Sequence, residues 1–213
     1  MSEAAKVIVY GAGGHGKVVA DVARACGLDV AGFADDDEGR SGTGPCGLPV
    51  LTLGEWMKRR SGPVRVALGV GDNGRRAECF RRLEASNVEA LTLVHPRSVV
   101  SPSARLGAGT VVMAGAIVNP DATVGAGVIL NTASVTEHDV VLGDFVHLSP
   151  NAALGGAARV GAFSHVGIGA AVLPGIMIGE RARIGAGAVV TREVESDVTV
   201  VGVPARPLHP GAH

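Results

Sequence analysis

Residues 124–148, VGAGVILNTASVTEHDVVLGDFVHL, carry aliphatic side chains at Val124, Leu130, Leu142 and Leu148, with Thr136 in the remaining place of that series. The step is six. Extended both ways it runs from Val100 to Val190, and fifteen of its sixteen positions are aliphatic, Thr136 being the exception. Two residues before each, the side chain is usually small, as at Ala104, Ala116, Ser134, Ala152, Ser164 and Ala188. A helix repeats every 3.6 residues and a strand every two, so neither produces a lone period of six over ninety residues. A hexapeptide period is that of a parallel β-helix. Three hexads make one triangular coil of 18 residues, and the pairs Leu106-Gly107, Val124-Gly125, Leu142-Gly143, Val160-Gly161 and Ile178-Gly179 recur at that interval. About five coils stacked about 4.8 Å apart follow. A sandwich of short strands would need two-residue alternation and hairpin turns, and neither is present.

The repeat also names vertical neighbours, the residues 18 apart. Ile129, His147 and His165 form one column, and Pro120, His138, Gly156 and Pro174 another. His138 stands between Glu137 and Asp139, just after Thr136. A histidine flanked by carboxylates is a general-base candidate. Gly156, one coil on, offers a backbone N–H with no side chain in the way, a candidate oxyanion donor. No third ligand at metal spacing accompanies His147 and His165, so no metal is expected.

Residues 1–97 read as a small α/β domain, and residues 98–213 as the β-helix with a C-terminal tail. Strands are expected at residues 6–10, 30–34, 64–70 and 90–94. Helices are expected over residues 17–26, closed by Gly27, from the capping box Thr52-Leu-Gly-Glu55 to Arg59, and after Asp72, with Ala77, Phe80 and Leu83 on one side. Strands alternating with helices make a parallel sheet. Gly11, Gly13 and Gly16 fit the G-x-G-x-x-G of dinucleotide-binding folds, with Asp35 about twenty residues on. Yet this Rossmann-like unit is half-sized and a β-helix takes the place of the second half. One nucleotide fits better than two, and an oxidoreductase is disfavoured. The strand ends carry Gly13, Gly14, His15, Asp35, Asp36 and Gly71. Glycines let backbone approach a pyrophosphate, and the carboxylates accept from a ribose or a base.

Composition sets bounds. The net charge of −1 gives no reason to expect nucleic acid or an anionic membrane as partner. No apolar run is long enough for a span, and no signal peptide is read at the N-terminus. Cys26, Cys46 and Cys79 fit no metal spacing and are expected as free, buried thiols of a cytoplasmic protein.

The strings YGAGGHGKV, GDNGRR, VHPRSVVSPSARLGAG, GVILNTASVTEHDVVLGDFVHLSPNAALGG and VVGVPARPL, taken together, resemble the hexapeptide-repeat acyltransferases. The resemblance is closer to the sialic acid O-acetyltransferase-like family of bacterial nucleotide-sugar acetyltransferases, with its UDP-bacillosamine-type and GDP-perosamine N-acetyltransferases. It implies a left-handed β-helix, a homotrimer, and acetyl-CoA lying in the groove between neighbours. It implies that His138 is the base and Asp139 tunes it, that His147 and Gly156 meet acetyl-CoA near the thioester, and that Ile168 and Ala186 contact the coenzyme further along. Arg206 would meet a coenzyme phosphate. Gly13, Gly14, His15, Asp35, Asp36 and Gly71 would hold the nucleotide sugar. The implied reaction is direct acetyl transfer to the 4-amino group of a nucleotide-linked 4-amino-4,6-dideoxy sugar, GDP-perosamine ahead of UDP-linked sugars. O-acetylation of sialic acid or a related sugar is the alternative. No cysteine lies in the repeat, so no thiol nucleophile is at hand. A carbonic-anhydrase-type β-helix would need three histidines on a metal, and a nucleotide-sensing scaffold would have no use for His138.

Overall fold

The computed structural model describes residues 6–59 and 64–208, and the chain divides into two compact units, Met1–Pro96 and Arg97–His213. The first contains β1 (Val7–Tyr10), α1 (Gly14–Ala25), β2 (Val30–Ala34), β3 (Gly42–Thr43), β4 (Pro49–Leu51), α2 (Leu53–Arg59), β5 (Arg65–Leu68), α3 (Asn73–Ala85) and β6 (Glu89–Ala90). The sheet order is β3-β4-β2-β1-β5-β6. Its body is parallel, as alternation predicts, but the edge pair β3–β4 is antiparallel, a hairpin the sequence reading does not contain. β1 is apolar throughout and wholly buried, as a central parallel strand covered on both faces must be.

Helix α1 starts at Gly14, three residues earlier than expected. The cause lies at Gly16. A Cβ there would collide with the Gly11 carbonyl oxygen, so only glycine lets the helix begin this close to the strand end. Gly27, at φ +75, closes α1 and donates its N–H to the Arg24 carbonyl at 2.9 Å. The capping box forms in both directions: the Glu55 N–H donates to Thr52 Oγ1 at 3.3 Å, and the Thr52 N–H donates to Glu55 Oε2 at 2.8 Å. The expected strand at 90–94 is split into Glu89–Ala90 and Leu93–Val94. Of the three thiols, all free, Cys79 is buried, Cys26 half-buried and Cys46 exposed, so burial does not extend to Cys46.

In the second unit each hexad contributes a two-residue strand paired to the residue 18 further on. Three stacks result. The first face runs Val111, Ile129, His147, His165, Arg183. The second runs Val99, Ile117, Val135, Ala153, Ala171, Val189. The third runs Arg105, Thr123, Val141, Arg159, Met177. The residue after each of these points inward. From Val112 to Val190 those inward residues, Thr136 apart, form one apolar column set, each no more than 3% exposed. Thr136 keeps its inward place at 0% exposure, and neither its hydroxyl nor that of Ser134 has a hydrogen-bond partner among the described residues.

The corners hold a feature the sequence reading misses. Every sixth residue from Gly109 to Gly187 has positive φ, Asp139 among them at +60. Each non-glycine residue held there costs about 1–2 kcal/mol. A backbone ladder offsets the cost: the Asp139 N–H donates to Pro120 O at 3.1 Å, Ala157 to His138 O at 2.8 Å, and Gly175 to Gly156 O at 2.9 Å. The position escapes notice because Gly, Asp, Asn, Ala, Phe and Arg all occupy it. Beyond Val190 the spacing contracts from 18 to 16, with Arg183 paired to Thr199, and Arg206–Pro207 folds back antiparallel on Thr199–Val201.

Candidate active site

The corner ladder places Pro120, His138, Gly156 and Pro174 in one vertical file, as the 18-residue spacing requires. His138 Nδ1 lies 2.8 Å from Asp139 Oδ2. An ionised carboxylate only accepts, so Nδ1 carries the proton and Nε2 keeps its lone pair. That nitrogen lies under Gly156: a Cβ built there would stand 2.5 Å from Nε2 and 2.6 Å from Cε1. The Asp139 hydrogen bond raises the His138 pKa, burial opposes it, and the charges of Asp139 and Glu137 add to the rise.

The Gly156 N–H donates to no acceptor among the described residues. The comparison with Ala126, at another corner, explains why. Its N–H is capped at 2.8 Å by Asp144 Oδ1 from the coil above, whereas the residue above Gly156 is Pro174. The corner thus joins an imidazole lone pair to an open backbone donor one coil away. This is the pair that attack on a carbonyl requires: a proton acceptor and an oxyanion donor.

The other residues of the sequence reading fall elsewhere on the prism. His147 is on the first face, stacked on His165 with ring centroids 4.7 Å apart and planes 4° from parallel. Asn131 lies beside it, Nδ2 being 3.1 Å from His147 Nε2, and Ser149 Oγ lies 2.7 Å from His165 Nε2. Ile168 and Ala186, both exposed, stack at the corner between the first and second faces, where the Gly187 N–H meets Ile168 O at 2.8 Å. His138 and Gly156 occupy the corner between the second and third faces. The second face therefore separates the two groups, and one chain does not bring them together.

In the first unit a cleft of about 480 Å³ gathers Gly13, Gly14, His15, Asp35, Asp36 and Gly71, all six residues named from the strand ends. Gly14 is the first residue of α1, and Gly13 caps the helix without a side-chain hydrogen bond, so N–H groups are presented to the cleft. Burial, with the nearby Arg76 guanidinium, lowers the His15 pKa to about 4 and keeps its ring neutral. Asp35 is already employed: its oxygens accept from the N–H groups of Ala12 at 2.9 Å and Asp37 at 3.1 Å. Asp36 accepts from the Tyr10 hydroxyl at 2.7 Å and pairs with Arg82 at 3.0 Å. Burial first, and this hydrogen bond second, raise the Tyr10 pKa. Arg40, Arg75 and Arg82 line the same cleft.

Comparison with known proteins agrees with both halves. The family model described as the PglD N-terminal domain matches residues 6–83, and that of the bacterial transferase hexapeptide (six repeats) matches residues 157–192. A solved histidine-to-asparagine mutant of perosamine N-acetyltransferase from Caulobacter crescentus, in complex with CoA and GDP-perosamine, is 40% identical with a TM-score of 0.90, over 96% of this chain and 97% of that one. The chain belongs to the hexapeptide-repeat nucleotide-amino-sugar N-acetyltransferases. The acetyltransferase domain of PglB from Neisseria gonorrhoeae FA1090 is 39% identical with a TM-score of 0.88, over 95% of this chain and 99% of that one. UDP-N-acetylbacillosamine N-acetyltransferase from Bacillus subtilis (strain 168) is 40% identical over 111 residues, which are 50% of this chain and 50% of the relative. The β-helix is left-handed, as the resemblance implied.

For an N-acetyltransferase of this family, several well-placed residues went unread in the sequence. Asn119 Nδ2 donates to Glu137 Oε2 at 2.9 Å. The two are 18 apart, so the repeat contains the signal. Tyr10, Arg40 and Arg82 in the cleft have no such marker, because they are joined only by folding. Arg206 is exposed, bonds the Ala205 carbonyl at 2.8 Å, and lines a second cavity of about 320 Å³ with Arg192, Glu193 and Glu195 at the end of the coil. No helix among the described residues is long and apolar enough to cross a membrane.

Proposed function

We propose that this protein transfers the acetyl group of acetyl-CoA to the 4-amino group of a nucleotide-linked 4-amino-4,6-dideoxy sugar. The observation that carries the reading is the His138 Nε2 lone pair beside the open Gly156 N–H, with Asp139 fixing the tautomer. The neutral amine attacks the thioester carbonyl directly. The Gly156 N–H stabilises the oxyanion, and His138 Nε2 takes the amine proton and returns it to the leaving thiolate. The cleft of the first unit binds the nucleotide, its diphosphate at Gly13, Gly14 and His15.

GDP is the favoured nucleotide. The relative from Caulobacter crescentus that is 40% identical over 96% of this chain was solved in complex with GDP-perosamine, which supports that preference. Acetyl-CoA would meet His147, Gly156, Ile168 and Ala186, with Arg206 on a phosphate. A homotrimer belongs to the same reading, and an apolar face supports it. The second face shows an outward row with no polar side chain, from Val99 to Val189, and Val99 is 63% exposed. Packing that face against neighbouring copies buries it and carries the His138 corner of one chain to the Ile168 and Ala186 corner of the next.

Thiol release from acetyl-CoA, with GDP-perosamine and UDP-linked 4-amino sugars offered separately, tests the reading. Fast release with GDP-perosamine is expected. Release only with a UDP sugar would overturn the nucleotide preference, and silence with all amino sugars would overturn N-acetylation and turn the search to sialic acid hydroxyls.

A further inference from the structure

His138 and Gly156 are half of a larger feature. The coil above Glu137–His138 presents Gly155–Gly156, two consecutive residues without side chains. The coil below presents Asn119–Pro120, and the coil beyond presents Leu173–Pro174. The result is a notch one coil tall whose floor carries two functional groups side by side, the imidazole and the Glu137 carboxylate. Gly155 has to be small for a reason of its own, since a Cβ there would stand 2.5 Å from the Pro174 nitrogen.

Glu137 is half-buried and fixed. Asn119 Nδ2 holds its Oε2 at 2.9 Å from the coil below, while Oε1 has no hydrogen-bond partner among the described residues. Its charge is felt by His138, which places the two groups in one electrostatic environment. A fixed carboxylate oxygen beside a base, opening on a notch with no side chain above it, has a defined chemical preference. It favours a group that bears N–H and positive charge and gives less to a neutral hydroxyl.

We infer that Glu137 is the residue that selects an amine as acetyl acceptor. This rests on the N-acetyl transfer proposed above. An amine attacking a carbonyl gains positive charge on nitrogen before it loses its proton. Glu137 Oε1 accepts one of its N–H groups and balances that charge, and His138 takes the proton from another. Asn119 is the positioning residue that keeps Oε1 turned into the notch. A hydroxyl acceptor, with a single proton already claimed by His138, leaves Glu137 nothing to hold.

The test is Glu137→Gln, which keeps the Asn119 hydrogen bond and the side-chain shape and removes the charge. Binding of GDP-perosamine is compared with inhibition by the same nucleotide sugar carrying a 4-hydroxyl. Thermal unfolding and the KM for acetyl-CoA serve as internal controls. The amino sugar is expected to bind about tenfold more weakly, with kcat reduced as well, while the inhibition constant of the hydroxyl analogue and the KM for acetyl-CoA stay unchanged. Equal loss for both sugars would show a role in shaping the corner and overturn the inference. So would no loss for either, or a shifted pH profile with the ratio of the two sugars unaltered. If the native protein releases no thiol with any amino sugar, the proposed reaction fails on its own account, and calorimetric binding of the two sugars still decides the role of Glu137.

Discussion

Gly156 offers the sharpest separation of catalysis from stability. Its φ is not in the left-handed range, so alanine suits the backbone. The obstacle is the imidazole: the new Cβ would stand 2.5 Å from His138 Nε2 and 2.6 Å from Cε1. Ordinary contact is closer to 3.5 Å, so the ring must withdraw by about 1 Å, a displacement of the order that costs about a hundredfold in rate. His138 is 62% exposed and free to swing outward, so the fold does not suffer. Gly156→Ala is therefore expected to lower kcat for thiol release about a hundredfold, with the thermal midpoint unchanged and the Gly156 N–H still in place. Gly155→Ala is the control with the opposite signature. Its Cβ meets backbone at Pro174, which cannot rotate away, so stability falls. A Gly156→Ala protein with kcat within threefold of the native value would refute the placement of the His138 ring and the role built on it.

Asp139→Asn retains a residue type that tolerates positive φ and removes the charge that raises the His138 pKa. With the neutral His138 ring as the proposed base, the acidic limb of kcat/KM should move to lower pH while the plateau drops; an unmoved limb would mean that another group controls it. Thr136→Val replaces an unpartnered buried hydroxyl by an isosteric methyl. Chemical denaturation should show a gain of about 1 kcal/mol, and a loss would mean that the hydroxyl has a partner in solution. His15 is neutral in the fold, with a pKa near 4 against 6.5 ordinarily. Below pH 6.5 the unfolded chain binds the extra proton and the folded one does not, so this residue destabilises the fold as pH falls from 6.5 to 4, by up to about 3 kcal/mol. His15→Gln should flatten the pH dependence of unfolding over that interval, and identical curves would contradict a buried neutral ring.

The period of six made the β-helix legible because a coil has only one way to bury one residue in six, and every column assigned from 18-residue spacing pairs as expected. Those columns put Gly156 over His138 from spacing alone, and the turn chemistry of Thr52-Leu-Gly-Glu55 and Gly27 is equally plain. What stayed hidden depends on contacts without a period. The G-x-G-x-x-G pattern is half packing: Gly11 and Gly16 let α1 meet the strand ends, and only Gly13 and Gly14 have room to face a ligand. Asp35 and Asp36 read as ligands, yet their first duty is to backbone N–H groups and to Tyr10 and Arg82. The antiparallel edge β3–β4 is two residues a strand, too short for alternation to register. Leu93–Val94 parted from Glu89–Ala90 because an apolar run carries no mark of where it leaves a sheet.

The outward row of the second face was written in the sequence at the same period as the core, one residue earlier in each hexad: Val99, Ile117, Val135, Ala153, Ala171, Val189. The other two faces break their rows with His147, His165 and Arg183, or with Arg105 and Arg159. Only the second face can be buried against a copy without desolvating a charge, and it is the face that separates His138 from Ile168 and Ala186. If the coenzyme touches both corners, it does so across two chains, and two inactive variants should then repair each other. His138→Asn leaves the Ala186 corner intact, and Ala186→Trp, at an exposed residue, blocks that corner while leaving His138 in place. After random co-assembly of equal amounts, about a quarter of the sites in a cyclic trimer pair an intact His138 with an intact Ala186 from the neighbour. Recovery of about a quarter of native activity in the mixture, with neither variant active alone, would place the reaction between subunits. No recovery after verified subunit exchange would confine it to one chain, and the apolar face would need another explanation.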